Sequence, residues 1–148
     1  TSYINEYNFW YKYFKFNINK KLKLKFNFLN LIPSCGDGSR FTFKNKENFK
    51  PLVKVGNKFM ITKTIDSLPL TSKNAVIIRE DHNIQYKFKN KIKSKIKSCD
   101  VMVLHKKTSG MATTCYEYLK KFKKNTPLLI SSCDYAVVFD EQKLNLNQ

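Results

Sequence analysis

The residues best placed to do chemistry lie in one run, Leu31-Ile32-Pro33-Ser34-Cys35-Gly36-Asp37-Gly38-Ser39-Arg40-Phe41, with a second basic anchor at Lys50-Pro51-Leu52. An apolar segment (Phe28, Leu29, Leu31, Ile32) leads into a turn carrying Gly36 and Gly38, and then into Ser39-Arg40. Glycine lets backbone N–H groups curl towards an anion, and Arg40 and Lys50 bring fixed positive charge to the same oxygens. The chemistry this pattern suggests is phosphate handling. Two other phosphate loops are excluded by spacing: G-x-G-x-x-G would need glycine where Phe41 stands, and no Gly-Lys-Ser/Thr follows.

What remains, G-x-G-S-R-F with a later K-P-L, resembles the sugar-phosphate nucleotidyltransferases, in particular the NDP-sugar pyrophosphorylases of the glucose-1-phosphate thymidylyltransferase-like kind. Further blocks of the chain resemble the same family in the same order. Val53-Lys54-Val55-Gly56-Asn57-Lys58-Phe59-Met60-Ile61 is similar to the stretch that leads into its first helix, and Ala75-Val76-Ile77-Ile78-Arg79-Glu80-Asp81-His82 to its second strand and turn. Thr108-Ser109-Gly110-Met111-Ala112-Thr113-Thr114 resembles its T-x-G-x-A-x-T segment, and Pro127-Leu128-Leu129-Ile130-Ser131-Ser132-Cys133-Asp134 its strand ending in a metal-binding aspartate.

The resemblance implies a site. Backbone amides of Gly36, Asp37, Gly38 and Ser39 would bind a nucleoside triphosphate, Arg40 would stabilise the pyrophosphate leaving group, and Lys50 would bridge the α-phosphate to the incoming nucleophile. Gly110 and Ala112 would lie against the base or ribose, and Asp134 would be an oxygen ligand of Mg²⁺. Partners would be a nucleoside triphosphate, with pyrimidines favoured, and a sugar phosphate or similar phosphomonoester destined for surface polysaccharide. Two departures stand out: Phe49 replaces the first proline of P-K-P, and Ser34-Cys35 replaces a small apolar pair. Relatives also continue with an acceptor-binding half and a second metal-binding aspartate, so a chain with only these residues is expected to hold the nucleotide half of a site.

The elements that must position these groups follow from the hydrophobic pattern. Strands are expected over 26–32, 75–78, 101–104 and 128–130, and helices over 59–68, 83–98 and 113–122. In the 83–98 stretch, Ile84, Phe88, Ile92 and Ile96 fall at four-residue intervals, suggesting one helix facing the sheet with its lysines in solvent. Alternating strand and helix predicts an α/β fold, a Rossmann-like, mostly parallel sheet with helices on both faces. Ligands of such sheets bind outside the carboxyl ends of the strands, where the glycine loop, the 108–114 segment and Asp134 all fall. The expected domain is 26–148, incomplete at its C-terminus, preceded by a basic, aromatic-rich segment at 1–25.

Charge points two ways. The chain has 28 Lys plus Arg against 11 Asp plus Glu, a formal net charge of +17. Such an excess raises the prior for nucleic acid, and the aromatics and lysines of 1–25 could stack bases. Yet arginine occurs only at Arg40 and Arg79, whereas bidentate phosphate and base recognition favours it, so nucleic acid is disfavoured and composition bias preferred. The four cysteines, Cys35, Cys99, Cys115 and Cys133, have no C-x-x-C spacing, which argues against zinc and for packing roles. The apolar stretches are far short of the ~20 residues of a membrane span, and the start has no secretory pattern, so a cytoplasmic location is expected. Oligomeric state is open, and a homo-oligomer is compatible with everything above. A non-catalytic nucleotide-binding module and a basic RNA-binding protein are the alternatives.

Overall fold

A computed structural model describes residues 26–38, 49–121 and 126–138. Ser39, Arg40, Phe41, Phe122 and the segment 1–25 lie outside the described residues. The elements in order are β1 (Phe26–Pro33), a 3-10 turn (Lys50–Leu52), β2 (Lys54–Val55), β3 (Lys58–Phe59), α1 (Met60–Ser67), β4 (Thr71–Arg79), α2 (Glu80–Tyr86), α3 (Phe88–Lys95), β5 (Cys99–Leu104), α4 (Met111–Leu119) and β6 (Leu128–Ile130).

The main sheet has the order β5-β4-β1-β6, and each neighbouring pair is parallel. Parallel strands covered on both faces read as continuous apolar runs, and β4 shows why. Ala75, Val76, Ile77 and Ile78 are all fully buried, yet successive residues enter different cores. Val76 and Ile78 pack with Ile32, Ile61 and Ile65 of α1, and Phe88 and Ile92 of α3. Ala75 and Ile77 pack with Leu29, Leu31, and Cys115 and Tyr118 of α4. Each such aliphatic side chain contributes roughly 1.5–3 kcal/mol when withdrawn from water. The α/β class, the parallel sheet and the helices on both faces therefore stand as the sequence implies.

The 83–98 stretch differs from expectation. It forms two helices, α2 and α3, which break at Lys87 with left-handed backbone (φ 51°). Ile84, expected on the sheet-facing side, is 72% exposed, whereas Phe88 and Ile92 are fully buried. A straight helix advances about 100° per residue, so positions four apart drift by about 40° each time. Four such residues cannot share one contact line, and the break gives α3 its own aim. The lysines at 91, 93, 95 and 97 are exposed, as a solvated face requires. The last clear helix starts at Met111, earlier than the expected 113, and leaves Tyr116 62% exposed. No described helix is long and apolar enough to cross a membrane.

Candidate functional site

Chain order and sheet order together decide which loops meet at the carboxyl edge of the sheet. From β1 the chain passes over the α1 face to β4, whereas from β5 it passes over the α4 face to β6, on the other side of β1. The segment after β6 then packs on the α1 face, where the Thr64 hydroxyl donates to the Cys133 carbonyl at 3.1 Å and Val137 N–H donates to the Ser67 hydroxyl at 3.1 Å. The segments following β1 and β6 therefore meet beyond the carboxyl ends of the strands, the edge at which open α/β sheets bind ligands. Both loops start rigidly. Ser34 N–H donates to the Ile77 carbonyl at 2.7 Å, and Ser131 N–H donates to the Leu31 carbonyl at 3.1 Å.

Beyond Ser34 and the buried Cys35, the chain turns outward. Gly36 and Asp37 are exposed, a Cβ on Gly36 would meet nothing within 4 Å, and Gly38 has φ +64°, a conformation that L side chains disfavour. A Cβ on Gly38 would lie 3.9 Å from Lys50 Cβ, an ordinary contact distance, so the loop runs beside the basic anchor and it is the backbone conformation that calls for glycine. Lys50 is delivered by the 3-10 turn, in which Pro51 occupies the first turn. Phe49 explains how that turn is held: it stacks on Tyr86 (4.9 Å, 10°), tilts against His82 (4.6 Å) and meets Phe88 edge-on (5.7 Å). The aromatic does by packing what a second proline would do by stiffness.

Lys50 Nζ lies 2.6 Å from Asp134 Oδ2, and the two side chains are only 30% and 27% exposed. The Ser132 hydroxyl donates to the other oxygen, Oδ1. Partial burial pushes the Asp134 carboxyl up, but the Lys50 and Ser132 hydrogen bonds and the Lys50 charge outweigh it, and the net shift is down. Gly38, Lys50 and Asp134, distant in sequence, are thus brought together.

A second ionic cluster was not foreseen. Asp37, between the two glycines, accepts hydrogen bonds from Arg79 on Oδ1 and from Lys107 on Oδ2. The Arg79 side chain is 13% exposed; its Nε donates to Asp81 Oδ1 at 3.0 Å, and Nη1 also reaches the Cys35 carbonyl at 3.4 Å. Lys107, and then Arg79, holds the Asp37 carboxyl down at about 2. His82 is buried behind them, with Nδ1 lacking a hydrogen-bond partner; burial first, and the Arg79 charge second, push its pKa down. The available signal was Arg79 itself, one of two arginines in a lysine-rich chain, placed at the end of a strand.

Gly110 and Ala112 sit at the start of α4, both exposed. The Gly110 backbone is extended (φ 173°), a Cβ there would meet nothing within 4 Å, and its carbonyl accepts from the Thr114 hydroxyl at 2.9 Å. The Lys107–Asp37 bond ties the loop that precedes Gly110 to the glycine loop.

The cysteines are all unbridged. Burial pushes the Cys35 and Cys133 thiols up to about 11, which makes them packing groups and not nucleophiles. Among the described residues, no three His, Cys, Asp or Glu side chains are grouped to hold a metal ion. Asp134 is a single carboxylate whose oxygens face Lys50 and Ser132. Magnesium often binds through one or two carboxylates plus substrate phosphates and water. This donor set fits an ion that arrives with a phosphate ligand and does not fit a resident one. No protein-family model matches the chain, and no curated protein is significantly similar to it.

Proposed function

We propose that the chain provides the nucleotide-binding part of a nucleotidyltransferase, which moves a nucleoside monophosphate from a nucleoside triphosphate to a sugar phosphate or related phosphomonoester and releases pyrophosphate. The observation that carries this reading is the Lys50–Asp134 pair beside Gly38, at the carboxyl edge of a parallel sheet. In the reaction an acceptor phosphate oxygen bonds to the α-phosphorus while the bond to the β-phosphate bridging oxygen breaks. Two anions must approach each other, so the demand on the protein is fixed positive charge and alignment. Backbone amides of 36–38 would cup phosphate oxygens, and Lys50 would neutralise the α-phosphate and the incoming nucleophile. Arg40, by resemblance, would stabilise the departing pyrophosphate. Gly110 and Ala112 admit the flat base or ribose closely because they carry almost no side chain. Magnesium, brought with the triphosphate and held on Asp134, would supply further charge neutralisation.

The test is thermal stabilisation of the chain by each nucleoside triphosphate, with and without Mg²⁺, alongside Lys50→Ala and Asp134→Ala. A shift specific to one base and enhanced by Mg²⁺, reduced in Lys50→Ala and stripped of its Mg²⁺-dependent part in Asp134→Ala, is the expected result. Absence of a shift with every triphosphate from a folded chain would sink the reading. The single carboxylate at the crevice favours a second reading, a module that binds nucleotide without turning it over. Pyrophosphate release in the presence of sugar phosphates separates the two.

A further inference from the structure

We infer that Arg79 and Lys107 form a second seat for phosphate oxygens on this edge, and that Asp37 fills that seat until a polyphosphate displaces it. The inference rests on the nucleotide reading of the glycine loop. The sheet order β5-β4-β1 sets three loop ends side by side: Lys107 follows β5, Arg79 ends β4 and Asp37 follows β1. Asp37 presents one oxygen to the guanidinium and the other to the ammonium, as a phosphate group would.

The two cations are suited to outlast the exchange. Arg79 is mostly buried, and its far edge is held by Asp81, which accepts from both Nε and Nη2, so its position does not depend on Asp37 alone. Lys107 is 65% exposed and can follow an incoming oxygen. Asp37 is the movable member: its side chain is 45% exposed, it lies between Gly36 and Gly38, and the space above Gly36 is open. A triphosphate carries several charges against the one on Asp37. If the carboxylate stayed in place it would also repel any anion cupped by the neighbouring amides. The seat therefore selects polyphosphate over monophosphate, because a singly bridging anion gains little by replacing a carboxylate already there.

Calorimetric titration with inorganic tripolyphosphate and with the four nucleoside triphosphates, on the unaltered chain, Asp37→Asn, Lys107→Ala and Asp37→Asn/Lys107→Ala, tests this. Asp37→Asn is expected to bind about tenfold more tightly, Lys107→Ala several-fold more weakly, and the double variant to lose the gain. Lys107 is on an exposed loop, and Arg79 keeps Asp81 as partner in Asp37→Asn, so the variants retain the fold. An unaltered chain that binds, with Asp37→Asn no tighter, overturns the inference and leaves the nucleotide reading intact; a lowered melting temperature in that variant would then identify Asp37 as a staple between loops. Binding by Asp37→Asn alone supports both. No binding by any of them defeats the nucleotide reading, and this inference with it.

Discussion

Removing either partner of the Lys50–Asp134 pair separates its structural role from its role towards a ligand. Fully exposed pairs are worth about 0–1 kcal/mol, whereas breaking a buried pair costs about 3–5 kcal/mol. With side chains 30% and 27% exposed, this pair lies between, and a coupling of about 1–2 kcal/mol is expected from urea denaturation of Lys50→Ala, Asp134→Ala and the double variant. Towards triphosphate the two substitutions should diverge. Lys50→Ala removes a charged hydrogen bond worth about 1.5–3 kcal/mol, so affinity should fall roughly 10- to 100-fold whether or not Mg²⁺ is present. Asp134→Ala removes a negative charge from the crevice, so in a chelator the affinity should hold or rise, and only the Mg²⁺-dependent increment should disappear. Equal weakening by Asp134→Ala with and without Mg²⁺, or unchanged affinity in Lys50→Ala, would refute this account of the pair.

Phe49→Ala should cost about 3 kcal/mol in urea denaturation, since the ring is 7% exposed and packed on three others, and should also weaken triphosphate binding by loosening the Lys50 turn. Lys87→Gly should stabilise the chain by about 0.5–1 kcal/mol, because it relieves a left-handed L-residue between α2 and α3; a loss of stability there would mean that Lys87 makes contacts outweighing the strain. Acid should destabilise in two stages. His82 has a lowered pKa in the fold, so the unfolded chain takes up a proton first and stability drops as pH falls below about 6.5. Asp37, at about 2 in the fold, and Asp81, held still lower by Arg79, contribute stability that is present above the ordinary carboxylate value of 3.8 and is lost as pH falls through their folded values. Urea midpoints at pH 7.5, about 5 and about 3 read both stages; Asp37→Asn should reduce the second and, because the Asp37 charge favours protonated His82, slightly deepen the first.

The strands were legible because burial on two faces leaves an uninterrupted apolar signature, as at Ala75 to Ile78, and because Pro33 and the glycines after it stop β1 cleanly. The α2–α3 break was not. Tyr86-Lys87 contains no breaker, and lysine is a good helix former, so local propensity argues for continuity. The break comes from the sheet, which accepts Phe88 and Ile92 but cannot accept Ile84 on the same line. Phe49 was visible only as a departure from a pattern. Its function as the anchor of the Lys50 turn depends on Tyr86, His82 and Phe88, which no local window joins to it.

The ionic clusters were hidden for a different reason, and it bears on how the site works. A charged residue at a strand end can pair only with what the sheet order sets beside it, and the hydrophobic pattern gives the strands without giving their order. With β4 between β5 and β1, Arg79 stands in the middle of a row whose outer members are Lys107 and Asp37. With β6 on the far side of β1, Asp134 instead meets Lys50. The glycine loop consequently has a carboxylate-bound cation on each side, one pair across β1 and β6 and one cluster across β1, β4 and β5. On the proposed reading, a polyphosphate laid on the loop would meet positive charge on both sides, and each cation would exchange a carboxylate for a phosphate oxygen. In the free chain the same carboxylates hold Lys50, Arg79 and Lys107 in ion pairs, so a ligand of higher charge would find the cations already positioned.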